Sequence, residues 1–122
     1  MMNLQELTDT LPALNLQLLT GPSDLAALTP VGVYTSDLLS CVMAGAHEGD
    51  LWVTLQGHMN VVAVAALLEL SAVIITEGVV PEPAVLEKAQ EKGVTLLATH
   101  CSSYEVCGRL WELGLRQAEQ TG

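Results

Sequence analysis

The stretch LWVTLQGHMNVVAVAALLELSAVIIT, residues 51–76, reads as strand, loop, helix and strand. Residues 51–55 form a short β-rich run launched from the turn Glu48-Gly49-Asp50, and the polar break 56–60 separates it from the helical run 61–70. Residues 72–76 (AVIIT) are apolar up to the last, as in a strand covered on both faces. Downstream, the loop EGVVPEP leads into a helix beginning near Pro83, a residue tolerated in a first helical turn, with Glu87 and Glu91 spaced as a solvent face and Gly93 as its stop. VTLLA (94–98) is a third strand. Ser102 or Ser103 then caps a last helix through Tyr104, Cys107, Leu110, Trp111 and Leu113, stopped by Gly114. Strands separated by helices cannot be joined as hairpins, so the sheet is mainly parallel and the class is α/β.

Working toward the N-terminus, NLQELTDTLP (3–12) is a short amphipathic helix, while 14–20 and 31–35 are strands. The connection 21–30 joins those two strands. Residues 37–46 form a helix with Ser36 or Asp37 as cap. These elements are expected to form a single domain over residues 1–116, with 117–122 as a frayed polar tail.

Among 122 residues there are 14 Asp and Glu against 4 Lys and Arg, for a formal charge of -10. So few cations cannot neutralise a phosphate backbone, so nucleic acid and anionic membranes are poor partners. The apolar run 61–68 is far shorter than the roughly 20 residues needed to cross a bilayer. The acidic N-terminal segment lacks the basic start of a secretory signal, which points to the cytoplasm. Cys41, Cys101 and Cys107 are an odd count without CxxC spacing, as expected in a reducing compartment. Cys41 and Cys107 are expected as small buried hydrophobes on helical faces. Trp52 and Trp111 are core fillers or interface anchors in a chain without Phe.

Ligands of an open parallel sheet bind outside the carboxyl ends of the strands. The polar residues expected there supply the candidate ligand-binding set: Ser36 and Asp37; Gln56, Gly57, His58 and Asn60; Thr76 and Glu77; His100, Cys101, Ser102 and Ser103. Polar residues also follow strands simply because loops are exposed. Asn60 is expected to cap a helix beginning at Val61, whose first-turn amides with His58 would favour an anion, and residues 100–103 would form the neighbouring wall. No metal site is expected, since no short-spaced ligand pair is present. Nor is there a phosphate-cradling GxxxxGK[ST], a GxGxxG or a GxSxG elbow, so no catalytic residue and no cofactor are assigned.

The segments SDLLSCVMAGAHEGDLWVT (36–54), HMNVVAVAALLEL (58–70), AVIITEG (72–78) and THCSSYEVCGRL (99–110) together resemble a DRTGG-domain protein of the short kind, over residues 33–115. The resemblance extends to the N-terminal domain of HPr kinase/phosphorylase and, more distantly, to the first domain of the muramyl ligases. It implies a three-layer α/β/α sandwich of four or five strands. The Asp-Arg-Thr-Gly-Gly motif itself does not occur; Gly49-Asp50-Leu51-Trp52 and Gln56-Gly57-His58 stand near the corresponding strand. No phosphoryl transfer is implied, because the P-loop of HPr kinase lies in a different domain. The expectation is a non-catalytic regulatory domain that binds a small molecule, anionic or nucleotide-like, or a partner enzyme. The resemblance also implies a homodimer. Alternatives are a small enzyme or a redox or metal sensor using Cys101, His100 and His58, and a homodimeric assembly module without a ligand.

Overall fold

Alternation along the central strands divides the interior in two. In β3 (Asp50–Thr54), Leu51 and Val53 point to one side of the sheet and Trp52 to the other; in β4 (Ala72–Ile75), Ala72 and Ile74 share the side of Leu51, and Val73 and Ile75 that of Trp52. Both strands are buried along their whole length, β4 as its unbroken apolar sequence requires and β3 with the polar Asp50 and Thr54 buried at its ends. The computed structural model describes residues 2–22 and 24–117. The expected tail at 117–122 therefore lies almost entirely outside the described residues.

Five strands form one sheet in the order β1-β5-β4-β3-β2. β2 (Gly32–Thr35), β3, β4 and β5 (Leu96–Ala98) run parallel, and β1 (Gln17–Thr20) pairs antiparallel with β5, Gln17 opposite Ala98. The helices α2 (Leu39–Gly45), α3 (Met59–Leu68) and α4 (Pro83–Lys92) cover the Trp52 face through Val42, Val61, Val62, Ala65, Val85 and Ala89. On the Leu51 face, α1 (Leu4–Thr10) and α5 (Ser103–Glu112) contribute Leu4, Leu7, Val106 and Leu110. This is the expected three-layer α/β/α sandwich. Each fully buried aliphatic side chain stabilises it by about 1.5–3 kcal/mol relative to exposure.

Local signals explain the element ends. Asn3 and Glu6 form a reciprocal capping box on α1. Pro83 opens α4 and Gly93, at φ 71°, closes it. Leu14, the expected start of a strand over 14–20, instead closes a 3-10 turn at 12–14, and the left-handed Asn15, at φ 45°, leaves β1 to begin at Gln17.

Two expectations about helix caps are corrected. Neither Ser36 nor Asp37 caps α2: the helix begins at Leu39, with Leu38 at the cap position and no side-chain cap bond. Asn60 does not cap α3 either. The helix begins at Met59, and the His58 ring caps it by accepting the Asn60 N–H at Nδ1, 3.2 Å. A histidine is not among the preferred cap residues, so the expected start fell two residues too late.

Candidate functional site

Since β1 runs against the other strands, the carboxyl edge of the sheet is bordered by the ends of β2 to β5 and by the start of β1. The polar side chains along this edge divide into those that tie loops together and those that do not.

At the ends of β2 and β3 the side chains of Ser36, Asp37, Thr54 and Gln56 are each engaged. Asp37 Oδ1 accepts from the Thr54 hydroxyl at 2.8 Å and from the Leu55 N–H at 2.9 Å. Gln56 donates its side-chain amide to the Asp37 carbonyl at 3.3 Å and its N–H to Thr54 Oγ1 at 3.1 Å. Ser36 Oγ accepts from the Leu38 N–H at 3.1 Å, and the Ser36 carbonyl accepts from the buried Trp52 Nε1–H at 2.9 Å. Asp37 thus takes two donors across the sheet in place of one helical amide, which is why it is not a cap.

The loops after β4 and β5 are tied in the same manner. Glu77 places its carboxylate on the Ser103 N–H at 2.8 Å, and Thr76 and Ser103 share a hydroxyl hydrogen bond of 2.7 Å. Ser102 caps α5 through the Glu105 N–H, as expected from sequence. The first turn of α5 is therefore already supplied with a carboxylate and a hydroxyl. Glu77 and Gly78 donate their N–H groups to the Cys101 and Thr99 carbonyls. This lock holds Glu77 at φ 63°, an unfavourable conformation for a residue with a Cβ.

Among the described residues two clefts flank loop 79–81, one on each side. The first, about 170 Å³, lies between Gly78, Val80, Pro81, Thr99 and His100 on one wall and Asn15, Gln17 and Leu19 on the other. The second, about 390 Å³, lies between Gly57, His58 and Met59 and the start of α4 at Glu82, Ala84 and Val85. They share Val79 and Val80. Two glycines shape this region by close approach. A Cβ on Gly57 would stand 2.9 Å from Val79 Cγ1, and one on Gly78, whose φ is +73°, would stand 3.0 Å from His100 Nδ1.

His58 and His100 consequently line different clefts. Among the described residues neither makes a hydrogen bond to Cys101, whose Sγ faces the Ala13 carbonyl at 3.7 Å. A hydrogen bond with Glu105 is the main cause that raises the Cys101 thiol above its usual range, and the Glu105 charge adds to it. Burial pushes the half-buried Cys107 thiol up as well. Cys41 is exposed, contrary to expectation, because the inward residue of α2 is its neighbour Val42. Trp111 is also exposed, with the Arg116 guanidinium 4.1 Å above its ring, while Trp52 fills the core. No three or more His, Cys, Asp or Glu side chains converge as a metal-holding group among the described residues. None of the described helices is long and apolar enough to cross a membrane.

Asn15 and Gln17 were not among the candidate residues legible in the sequence. A strand at 14–20 read as parallel would bring Thr20, not Gln17, to the carboxyl edge; only the antiparallel pairing of β1 reverses this.

Residues 31–113, from just before β2 to just after α5, match the DRTGG domain family. The chain belongs to that family. Among solved structures, this DRTGG protein is similar to the crystal structure of the CBS and DRTGG domains of the regulatory region of Clostridium perfringens pyrophosphatase, complexed with the activator diadenosine tetraphosphate. The identity is 19% and the TM-score 0.70, over 85% of this chain and 45% of that one. The DRTGG chain thus spans less than half of that structure. No curated protein matches it. The 15–17 segment that builds the first cleft lies outside the matched residues 31–113.

Proposed function

We propose that this DRTGG domain is a non-catalytic regulatory module that senses a small molecule at the carboxyl edge of its sheet. One observation carries this reading. The loop side chains that could act on a ligand are largely hydrogen-bonded to one another, and they hold open two clefts that meet at Val80, an apolar residue left 85% exposed at the loop tip. A ligand in either cleft covers that side chain. In this reading Gly57, His58 and His100 face the ligand, Ser36, Asp37, Gln56, Thr76, Glu77, Ser102 and Ser103 position the loops, and Asn60, which lines neither cleft, has no part in the site. Cys101 belongs with the positioning residues, its raised thiol being poorly suited to nucleophilic attack.

A thermal-shift screen of small metabolites, followed by titration, tests it. A ligand at 100 times its Kd adds about 2.7 kcal/mol to the stability of the folded state. Val80→Asp is expected to weaken the binding of any genuine hit. Hits indifferent to Val80→Asp, Gln17→Ala and Glu82→Lys alike would place the ligand elsewhere and defeat the reading.

Assembly into a homodimer is a second, compatible reading, favoured by a different surface. Neither α2 nor α3 carries a charged residue, and Ala63 and Leu67 on the outer side of α3 are exposed, Leu67 at 68%. A helix apolar on all sides is ordinarily covered on all sides. A second copy is the proposed cover. Sedimentation should show a dimer at tens of micromolar that Leu67→Glu dissociates.

A further inference from the structure

We propose that the cleft between loop 79–81 and the start of β1 recognises the uncharged, adenine-type base of a nucleoside and selects against its phosphorylated forms. This rests on the ligand-sensing reading and deepens it, by assigning the ligand's chemistry and by placing half the pocket on β1.

Size is the first constraint. Pockets that enclose drug-sized ligands measure about 300–1,000 Å³. At about 170 Å³ this cleft takes one ring system and leaves the rest of a larger molecule outside.

Chemistry is the second. Asn15 and Gln17 border the cleft with side-chain amides that make no hydrogen bond among the described residues. A primary amide carries a donor and an acceptor in one plane, the complement of the adjoining donor and acceptor on an adenine edge. Among the described residues lining this cleft there is no Lys, Arg, Asp or Glu, so nothing selects a charged group. The other walls suit a flat, apolar face: Leu19, Val80 and Pro81, and the His100 imidazole held against Gly78. Imidazole is one of the side chains on which bases stack.

The backbone that carries these amides is also held in place before any ligand arrives. The Asn15 N–H bonds to the Pro12 carbonyl, and the Thr99 hydroxyl bonds to the Leu14 carbonyl, which pins the segment to the end of β5. Gln17 is in β1, paired opposite Ala98. Such pre-organisation lowers the entropic cost of binding.

Electrostatics supplies the discrimination. Neither cleft has a Lys or Arg among its described lining residues, and the Glu82 carboxylate borders the second with no cap bond to engage it. The chain carries a formal charge of -10. Each phosphate added to the nucleoside therefore enters a negative field that no Lys or Arg of the described cleft linings offsets, with only the imidazoles of His100 and His58, cationic when protonated, beside it.

The test is calorimetric titration of the full chain with adenosine, AMP and ATP at low and high salt, in the wild type and in Gln17→Ala, Asn15→Gly and Glu82→Lys. Glycine is chosen at position 15 because Asn15 has a φ of 45°. Adenosine is expected to bind saturably, at least tenfold more weakly in Gln17→Ala or Asn15→Gly. AMP and then ATP should bind progressively more weakly, with the gap narrowing at high salt and in Glu82→Lys. ATP binding more tightly than adenosine overturns the proposal, and so does adenosine binding that is unaltered in both amide variants. If adenosine fails while a non-nucleoside binds in a manner sensitive to Val80→Asp, this proposal falls and the ligand-sensing reading stands. If no compound of the screen binds, both fall.

Discussion

The two halves of the carboxyl edge are built from similar loops and end differently. Beside β2 and β3, Ser36, Asp37, Thr54 and Gln56 hydrogen-bond to each other and to the backbone, so the loops close over the strand ends. Beside β5 and β1, Thr99 and Leu14 make the tie, and the longer side chains of Asn15, Gln17 and His100 are left facing a cleft. The lesson is that a polar residue after a strand becomes part of a site only if the neighbouring loop does not engage it first. A carboxylate that reaches free amides, as Asp37 and Glu77 do, is held there because a hydrogen bond to a charged group contributes about 1.5–3 kcal/mol.

The closed half should be the one that mutation destabilises. Trp52 lies beneath it, fully buried and bonded to the Ser36 carbonyl. Trp52→Ala is expected to cost about 3–5 kcal/mol in urea denaturation, the range for large-to-small core changes. Next in size, Asp37→Ala removes the acceptor shared by Thr54 and Leu55 and should cost about 1–2 kcal/mol, moderated by water that reaches this exposed residue. An unchanged denaturation midpoint for Asp37→Ala would erase the distinction between the halves.

Glu77 offers a finer test, because its bond to the Ser103 N–H and its left-handed backbone act in opposite directions. Glu77→Ala keeps the strain and loses the bond, for an expected loss of about 1 kcal/mol. Glu77→Gly also relieves the strain and should recover most of that loss, so the two variants measured together separate the terms.

In the open half, Gln17→Ala should change stability by less than about 0.5 kcal/mol, as for surface substitutions generally. A larger loss would show that Gln17 has a structural partner and belongs with the closed half. The smallest effect concerns a rate. Since Glu105 raises the Cys101 thiol, its thiolate forms only at a higher pH than that of an ordinary cysteine. Alkylation at neutral pH should reach the exposed Cys41 first, and Cys101 labelling should climb as pH rises. Glu105→Gln should move the Cys101 profile to lower pH. Selective labelling of Cys101 at neutral pH would instead mark an activated thiol.

The local character of each element was legible in the residues. Apolar runs at 51–55 and 72–76, Pro83 before a helix, Gly93 after it and Ser102 at a cap all act within one or two helical turns or along one strand, and physics on that scale is written in consecutive residues. The family was legible for the same reason, its pattern being carried by residues 31–113 in order. Tertiary structure alone decided the rest. That Asp37 reaches Thr54 rather than its own helix, that His58 and His100 face separate clefts, and that β1 runs backwards to bring Gln17 beside Ala98 all depend on contacts between segments far apart in the chain. Strand direction is the clearest case. The alternation of side chains along a strand is the same whichever way it runs, so only packing of the whole sheet determines which end of β1 meets the carboxyl edge of the other strands.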